Sequence, residues 1–308
     1  MHTDDPAEEL ERRMRRLGAV FDLARLEGQG VTVSGIRRYY RRSRAGYRFV
    51  HSRRGAMHMA LNPGGAFDRA GYEAQAALVH DRLPAGAGDV LELACGNGFN
   101  LALLATRNPS VRFAGVDLVA AQVRRANRTL ARHPGAAAAV GDFQALEAAD
   151  ASQDCVFVVE SLCHATDLPR ALGETARVLR PGGRLVVVDG WRTGDLRQLP
   201  AGVREATIAV ERAMAVSAGQ SLAAFSGTAR DSGLRAIEDL DLTAQIVPNL
   251  QRLSSIAERF LSRPRLARAA RVVAPEALMM NAVAAYLMPV VVQSGAHTYR
   301  LLTLERSS

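Results

Sequence analysis

Leu91-Glu92-Leu93-Ala94-Cys95-Gly96-Asn97-Gly98 is the stretch on which the fold turns. It reads as a short apolar strand carrying an acid, then two glycines one residue apart, then a helix over residues 100–106. Glycines at such a turn let the backbone approach a ligand with no side chain in the way. The alternation continues downstream. Residues 111–116 read as a second strand, about 120–131 as a helix and 137–140 as a third strand. Residues 155–159 are wholly apolar and bounded by polar residues, the pattern of a buried central strand. Residues 168–179 predict a helix stopped by Pro181-Gly182-Gly183, and 185–188 another buried strand. Strands separated by single helices predict an α/β fold with a parallel, doubly wound sheet.

Upstream of this core, Leu10, Met14, Leu17, Phe21 and Ala24 recur at three- and four-residue spacing. They predict a charged helix over about residues 1–30, broken by Gly28-Gln29-Gly30. Residues 31–66 are rich in Arg and Tyr and close on the turn signal Asn62-Pro63-Gly64-Gly65. Another helix is expected over about 68–83. The chain therefore divides into an N-terminal helical, Arg- and Tyr-rich segment on the substrate side, 1–66, and the sheet domain, 67–308. After Trp191 a helix is expected over 203–214 and two strands over 237–242 and 299–304. Between those strands lies a helical insertion at about 244–294, long enough to serve as a lid.

With 308 residues, 48% apolar and 23% charged, the composition excludes a disordered, collagen-like or disulfide-scaffold protein. The longest apolar run, 282–292, is broken by Pro289 and too short to cross a bilayer. The opening MHTDDPAEELERR is too acidic and polar for a secretory signal. Cys95, Cys155 and Cys163 fit neither a disulfide framework nor a zinc site, so a reducing, cytoplasmic setting is expected. The net charge of +8 is carried by Arg alone, since Lys is absent. Residues 31–54 hold eight Arg, among them Arg37, Arg38, Arg41, Arg42 and Arg44, and no acid. Such forks suit phosphate or carboxylate, although a solvated face is the ordinary reading of a charge run.

Asp117 closes the second strand, 21 residues after Gly96, where a carboxylate can take ribose hydroxyls. Gly141-Asp142-Phe143 follows the third strand and offers an acceptor and a ring to an adenine. A dinucleotide site would carry a third glycine at position 101, which is Leu, and there is no Gly-Lys-Ser or Gly-Lys-Thr. Together with Leu179-Arg180-Pro181-Gly182-Gly183, these segments resemble the class I S-adenosylmethionine-dependent methyltransferases over about residues 88–191. That resemblance implies a Rossmann-like sheet and an enzyme. It implies S-adenosylmethionine as cofactor, with S-adenosylhomocysteine as product. Gly96 and Gly98 would lie against the methionine part with Glu92 behind them, and Ala94, Leu118 and Gln122 would join the lining. Asp117 would hold the ribose, and Asp142 and Phe143 the adenine.

Glu160 ends the buried strand 155–159, and ligands bind outside the carboxyl ends of strands in such sheets. A carboxylate against an apolar wall can have a raised pKa and act as a base, and His164 follows four residues on. Glu160-Ser161-Leu162-Cys163-His164-Ala165 resembles the sterol C-methyltransferases and bacterial enzymes that methylate prenyl chains at carbon. The resemblance implies methyl transfer to an isoprenoid or sterol-like alkene, through a carbocation that Glu160 then deprotonates, with Glu160 also beside the cofactor. Tyr39, Tyr40, His58 and Trp191 are the candidate substrate contacts. No protein metal site is expected, and magnesium only with a diphosphate acceptor. The alternatives are O- or N-methylation of a small natural product and, further off, a nucleic-acid methyltransferase. Against the last stand the low aromatic content of 5% and the lack of a base-handling motif, so no nucleic-acid partner is expected.

Overall fold

The computed structural model describes residues 5–22, 52, 54–216, 221–273 and 276–307. Tyr39, Tyr40 and the Arg run from 37 to 44 lie outside them. The glycine-turn stretch forms what its pattern predicts. Strand β1 (Asp89–Leu93) leads through Gly96 and Gly98 into helix α3 (Phe99–Arg107). Ahead of them lie α1 (Pro6–Gly18) and α2 (Ala74–His80). Strand β2 (Arg112–Asp117), helix α4 (Ala120–Leu130) and strand β3 (Ala136–Val140) follow. Then come β4 (Gln153–Val159), α5 (Leu168–Val178) and β5 (Leu179–Arg192).

Among the described residues the sheet has seven strands in the order β3-β2-β1-β4-β5-β7-β6, with β6 at Leu234–Asp241 and β7 at His297–Arg306. The first five run parallel, while β7 is antiparallel to both β5 and β6. From β1 the chain winds outward to β3, then returns to lay β4 on the other side of β1. A crevice must open there, because the connections from β1 and β4 leave toward opposite edges of the sheet. The central strands are covered on both faces. Val156, Val158 and Leu185 pack with α5 on one side, and Cys155, Phe157 and Val186 pack with α2 and α3 on the other.

Several boundaries differ from the sequence reading. The N-terminal helix ends at Gly18, capped at its start by Asp5, and the chain turns at Ala19–Phe21 to bury Val20 and Phe21. The helix expected over 68–83 is a 3₁₀ turn at Arg69–Glu73 followed by the short α2. Leu61 is the cause: its N–H donates to the Gly71 carbonyl at 3.0 Å, and a Cβ at Gly71 would stand 2.4 Å from the Leu61 oxygen. Strand β5 starts at Leu179, so Pro181-Gly182-Gly183 lies within its span, with Gly182 at φ +75° supplying an irregularity rather than a stop.

The insertion comprises three helices, α8 (Thr243–Leu261), α9 (Pro264–Val273) and α10 (Glu276–Gln293). It packs with α1 and α6 (Ala201–Ala213) around a core of its own that includes Leu10, Leu17, Val210, Leu261 and Leu287. Arg13 ties α1 to it, donating to Ser254 Oγ and to the Tyr286 carbonyl while its guanidinium lies 4.6 Å from the Tyr286 ring centroid. Helix α7 (Leu222–Asp231) covers the opposite face of the sheet beside β6.

Candidate active site

Three cavities meet over the carboxyl ends of β1, β4 and β5. The first, a cofactor-sized cleft, is lined by Glu92, Ala94, Gly96, Asp117, Leu118, Gln122, Asp142 and Phe143, so all but one of the expected cofactor residues converge there. Gly98 is the exception. It stands at the head of α3 with φ +78°, and a Cβ there would lie 3.1 Å from Ala126 Cα and Cβ. Its task is close packing of α3 against α4. Gly96 also has a positive φ, +54°, and its N–H donates to Asp117 Oδ2 at 2.9 Å. The other oxygen, Asp117 Oδ1, accepts from Val119 N–H at 2.7 Å. Burial raises the Asp117 pKa against the pull of these two donors. Asp142 is fixed by Gln144, whose N–H donates to Oδ1 at 2.9 Å.

Glu92 shows what this cleft lacks on its own. Its Oε1 accepts from Asn100 Nδ2 at 3.0 Å, but Oε2 is buried with no partner. Burial pushes its pKa up to about 8. An orphaned carboxyl oxygen on a residue that lines a cleft fits a cationic ligand group, and the ammonium of a methionine moiety is one.

His58 also lines the cofactor cleft, on the side of α3 rather than with the two further cavities described below. It is buried between Tyr72 and Phe99, with Nε2 3.2 Å from Asn100 Oδ1 and Nδ1 3.2 Å from the Met59 carbonyl. Burial drives its pKa down to about 4. The neighbouring stretch crosses the cleft and is pinned at several points. Asn97 Nδ2 donates to the Gly55 carbonyl at 2.8 Å, and Ala60 N–H donates to Asn249 Oδ1 at 2.7 Å.

Glu160 lines all three cavities. Its backbone sits in the left-handed region at φ +48°, a conformation that costs a side-chain-bearing residue about 1–3 kcal/mol. A hydrogen bond from its N–H to the Val188 carbonyl (2.8 Å) helps hold it there. Both donors to its carboxyl converge on one oxygen: Met59 N–H at 2.7 Å and Tyr299 Oη–H at 2.6 Å reach Oε1. Oε2 has no bond among the described residues. Burial raises the Glu160 pKa to about 7, the nearby Asp189 adds to this, and the two hydrogen bonds oppose it. His164 lies on the wall between the cofactor cleft and the second cavity, Nδ1 3.1 Å from the Ala215 carbonyl, and burial lowers its pKa.

The second cavity has a polar end. There Arg192 Nε and Nη2 meet the two Glu211 oxygens at 2.5 and 2.6 Å, and His297 Nε2 lies 3.3 Å from Glu211 Oε1. Trp191 lines this cavity and packs on Phe225, their ring centroids 4.4 Å apart. The third cavity runs between the insertion helices past Leu253, Ile256, Phe260, Met279 and Met288, with Asn281 as the polar side chain of its far wall. Among the described residues no cluster of three or more His, Cys, Asp or Glu is arranged for a metal ion. None of the described helices is long and apolar enough to cross a membrane.

Sequence reasoning missed Tyr299, Asn100, Asp189 and the Arg192–Glu211–His297 cluster. Asp189 carried a signal: like Glu160, it follows a run of buried apolar residues. Its carboxylate accepts from Ser161 and Leu162 N–H at 3.1 and 3.0 Å and so shapes the Glu160 turn. Tyr299 carried none, because only strand pairing brings residue 299 beside residue 160.

Comparison with known proteins bears on the domain and the fold that carry this site. Residues 91–187 match the model of the methyltransferase domain. This part of the chain is a methyltransferase domain of the S-adenosylmethionine-dependent class. Over 183 residues the chain is 34% identical to a 27-O-demethylrifamycin SV methyltransferase of Amycolatopsis mediterranei, covering 58% of this chain and 64% of the relative. Over 158 residues it is 30% identical to a 24-methylenesterol C-methyltransferase of rice (Oryza sativa subsp. japonica), covering 50% and 43%. The chain thus spans less than two thirds of either relative. In fold it matches a geranyl diphosphate C-methyltransferase from Streptomyces coelicolor with a TM-score of 0.63 at 19% identity, over 87% of this chain and 97% of that one. It also matches the [4+2]-cyclase SpnF with a TM-score of 0.69 at 20% identity, over 91% and 99%.

Proposed function

We propose that this protein transfers a methyl group from S-adenosylmethionine to a carbon of an apolar, alkene-bearing acceptor of isoprenoid or sterol type. One observation carries the reading: Glu160, with a free Oε2 and a carboxyl raised to about 7, stands where the cofactor cleft opens into the acceptor cavities. When bound, S-adenosylmethionine supplies an electrophilic methyl on a sulfonium sulfur. Glu92 would receive its ammonium, Asp117 its ribose, and Asp142 and Phe143 its adenine. Met57, which lines all three cavities, would press the acceptor alkene toward the cleft. Holding the two groups in line is the larger part of the catalysis.

Attack by the alkene leaves a tertiary cation on the acceptor. The Glu160 carboxylate, with Asp189 behind it, stabilises that charge in a low-dielectric setting. Glu160 Oε2 then removes the proton adjacent to the cation, giving a new alkene and a neutral Glu160 that returns its proton to solvent. The sterol C-methyltransferase relative and the geranyl diphosphate C-methyltransferase fold support this reading.

A second reading is O-methylation, in which Glu160 takes a hydroxyl proton instead. The polar end of the second cavity favours an oxygen-bearing acceptor, and the rifamycin relative is an O-methyltransferase by name. Methyl-labelled S-adenosylmethionine offered with prenyl alcohols, prenyl diphosphates, squalene, sterols and phenols decides between them. Label on carbon, lost in Glu160→Gln with cofactor binding intact, is the expected result. Label on oxygen overturns carbon methylation and leaves Glu160 as a simple acceptor base.

A further inference from the structure

The acceptor space has two unlike arms. They share Glu160, Met57, Met59, Met214, Leu250 and Met288, and diverge from there. One arm is the apolar passage through the insertion helices. The other ends on Arg192, Glu211 and His297. A cavity meant only for hydrocarbon would not carry these three groups on its wall, because polar groups facing apolar ligand lose their hydration without return.

The state of these groups follows from their contacts. Burial disfavours the Glu211 carboxylate, yet the Arg192 fork and His297 outweigh it and hold its pKa below the usual range. Glu211 is therefore an ionised acceptor, and Arg192 is neutralised by two-point pairing. An ionised carboxylate cannot donate, so His297 Nε2 must carry the proton of that bond. Nδ1 is then the ring atom left for a ligand, and no bond engages it among the described residues.

From this geometry we infer that His297 Nδ1 accepts a hydrogen bond from a hydroxyl on the acceptor. The acceptor class is an uncharged alkene alcohol, with its hydroxyl in the polar arm, its chain in the apolar arm and its reacting carbon at Glu160. The inference rests on the methyl-transfer reading for where the reacting carbon sits, but its test does not need turnover. A diphosphate is disfavoured in this arm, because Glu211, Asp189 and Glu160 line it with acid and its cation Arg192 is already paired.

Trp191 is the single tryptophan of the chain and lines the polar arm, so its fluorescence reports occupancy there. Farnesol, farnesyl methyl ether and farnesyl diphosphate are titrated into the full-length protein saturated with S-adenosylhomocysteine. Farnesol is expected to bind about tenfold more tightly than the ether, which cannot donate, as one hydrogen bond implies. His297→Phe is expected to collapse that ratio to near one, and His297→Gln, which restores an acceptor, to recover part of it. The wild-type ratio stands as a test even if His297→Phe does not fold.

Equal binding of alcohol and ether by wild type overturns the inference. So do tighter binding of the diphosphate, no fluorescence response to farnesol, or an unchanged ratio in folded His297→Phe. With labelled S-adenosylmethionine, a methyl placed on the farnesol oxygen overturns it too, because the hydroxyl would then sit at Glu160. Tight, hydroxyl-dependent binding without methylation leaves the hydroxyl contact at His297 standing and overturns the placement of the reacting carbon at Glu160.

Discussion

The cofactor cleft and the acceptor cavities sit side by side over one sheet, yet they are assembled in different ways. The cleft draws its polar residues from consecutive strand ends, at 92–98, 117–122 and 142–144, and those residues mostly bind nearby backbone. Asp117 holds the N–H groups of Gly96 and Val119, and Asp142 holds that of Gln144. The acceptor side joins residues far apart in the chain. Tyr299 reaches Glu160 across 139 positions and His297 reaches Glu211 across 86. A site of the first kind is preorganised by local turns. A site of the second kind exists only when β7 and the insertion have docked, so a change in packing there is felt as a change in chemistry.

The largest expected effect tests whether the junction carries the chemistry. Glu160→Gln should lower turnover by about 10²–10⁴-fold, the usual range for a lost general base, with S-adenosylmethionine binding retained in calorimetry. The wild-type rate should rise with pH through about 7, because the carboxyl must be ionised to accept a proton. A flat profile limited by chemistry would break the assignment.

On the cofactor side, Asp117→Asn should weaken S-adenosylmethionine binding by about 10–100-fold, the scale of a hydrogen bond to a charged acceptor, and leave acceptor binding unaltered. Equal losses on both sides would erase the contrast drawn above. Gly98→Ala should act on stability rather than on binding. A Cβ at φ +78° and 3.1 Å from Ala126 should cost about 1–3 kcal/mol in denaturant unfolding. The smallest effect is Tyr299→Phe. Loss of a donor to ionised Glu160 should raise its pKa further and move the acid limb of the pH–rate profile up by about one unit. Turnover on the plateau should survive. An unmoved profile would mean that Tyr299 only packs.

The difference in assembly also explains what could be read in advance. Strands β1, β2, β4 and the middle of β5 are apolar runs between turn signals, so period and punctuation located them. Glu92 and Asp117 followed as polar residues at the ends of β1 and β2, and Asp142 as the one just past β3. The helix expected over 68–83 did not form as a single element, because the backbone at Gly71 is drawn to Leu61, a pairing that helical periodicity cannot encode. The start of β5 was misplaced because Pro181-Gly182-Gly183 reads as a stop locally, while pairing with β4 and β7 carries the strand to both ends of its span.

Sequence by itself determined the doubly wound sheet, since that depends on local propensity and a fixed spacing, and its resemblance to a known family pointed to the residues that line the first cleft. Tertiary structure alone decided that Gly98 serves packing rather than the cleft, and that His58 lies on the cofactor side. It also decided that both donors to Glu160 fall on one oxygen, and that the acceptor space ends on Arg192, Glu211 and His297. Those outcomes depend on which distant side chains meet when β7 pairs with β5 and the insertion closes against α1, and no local pattern in the chain specifies such meetings.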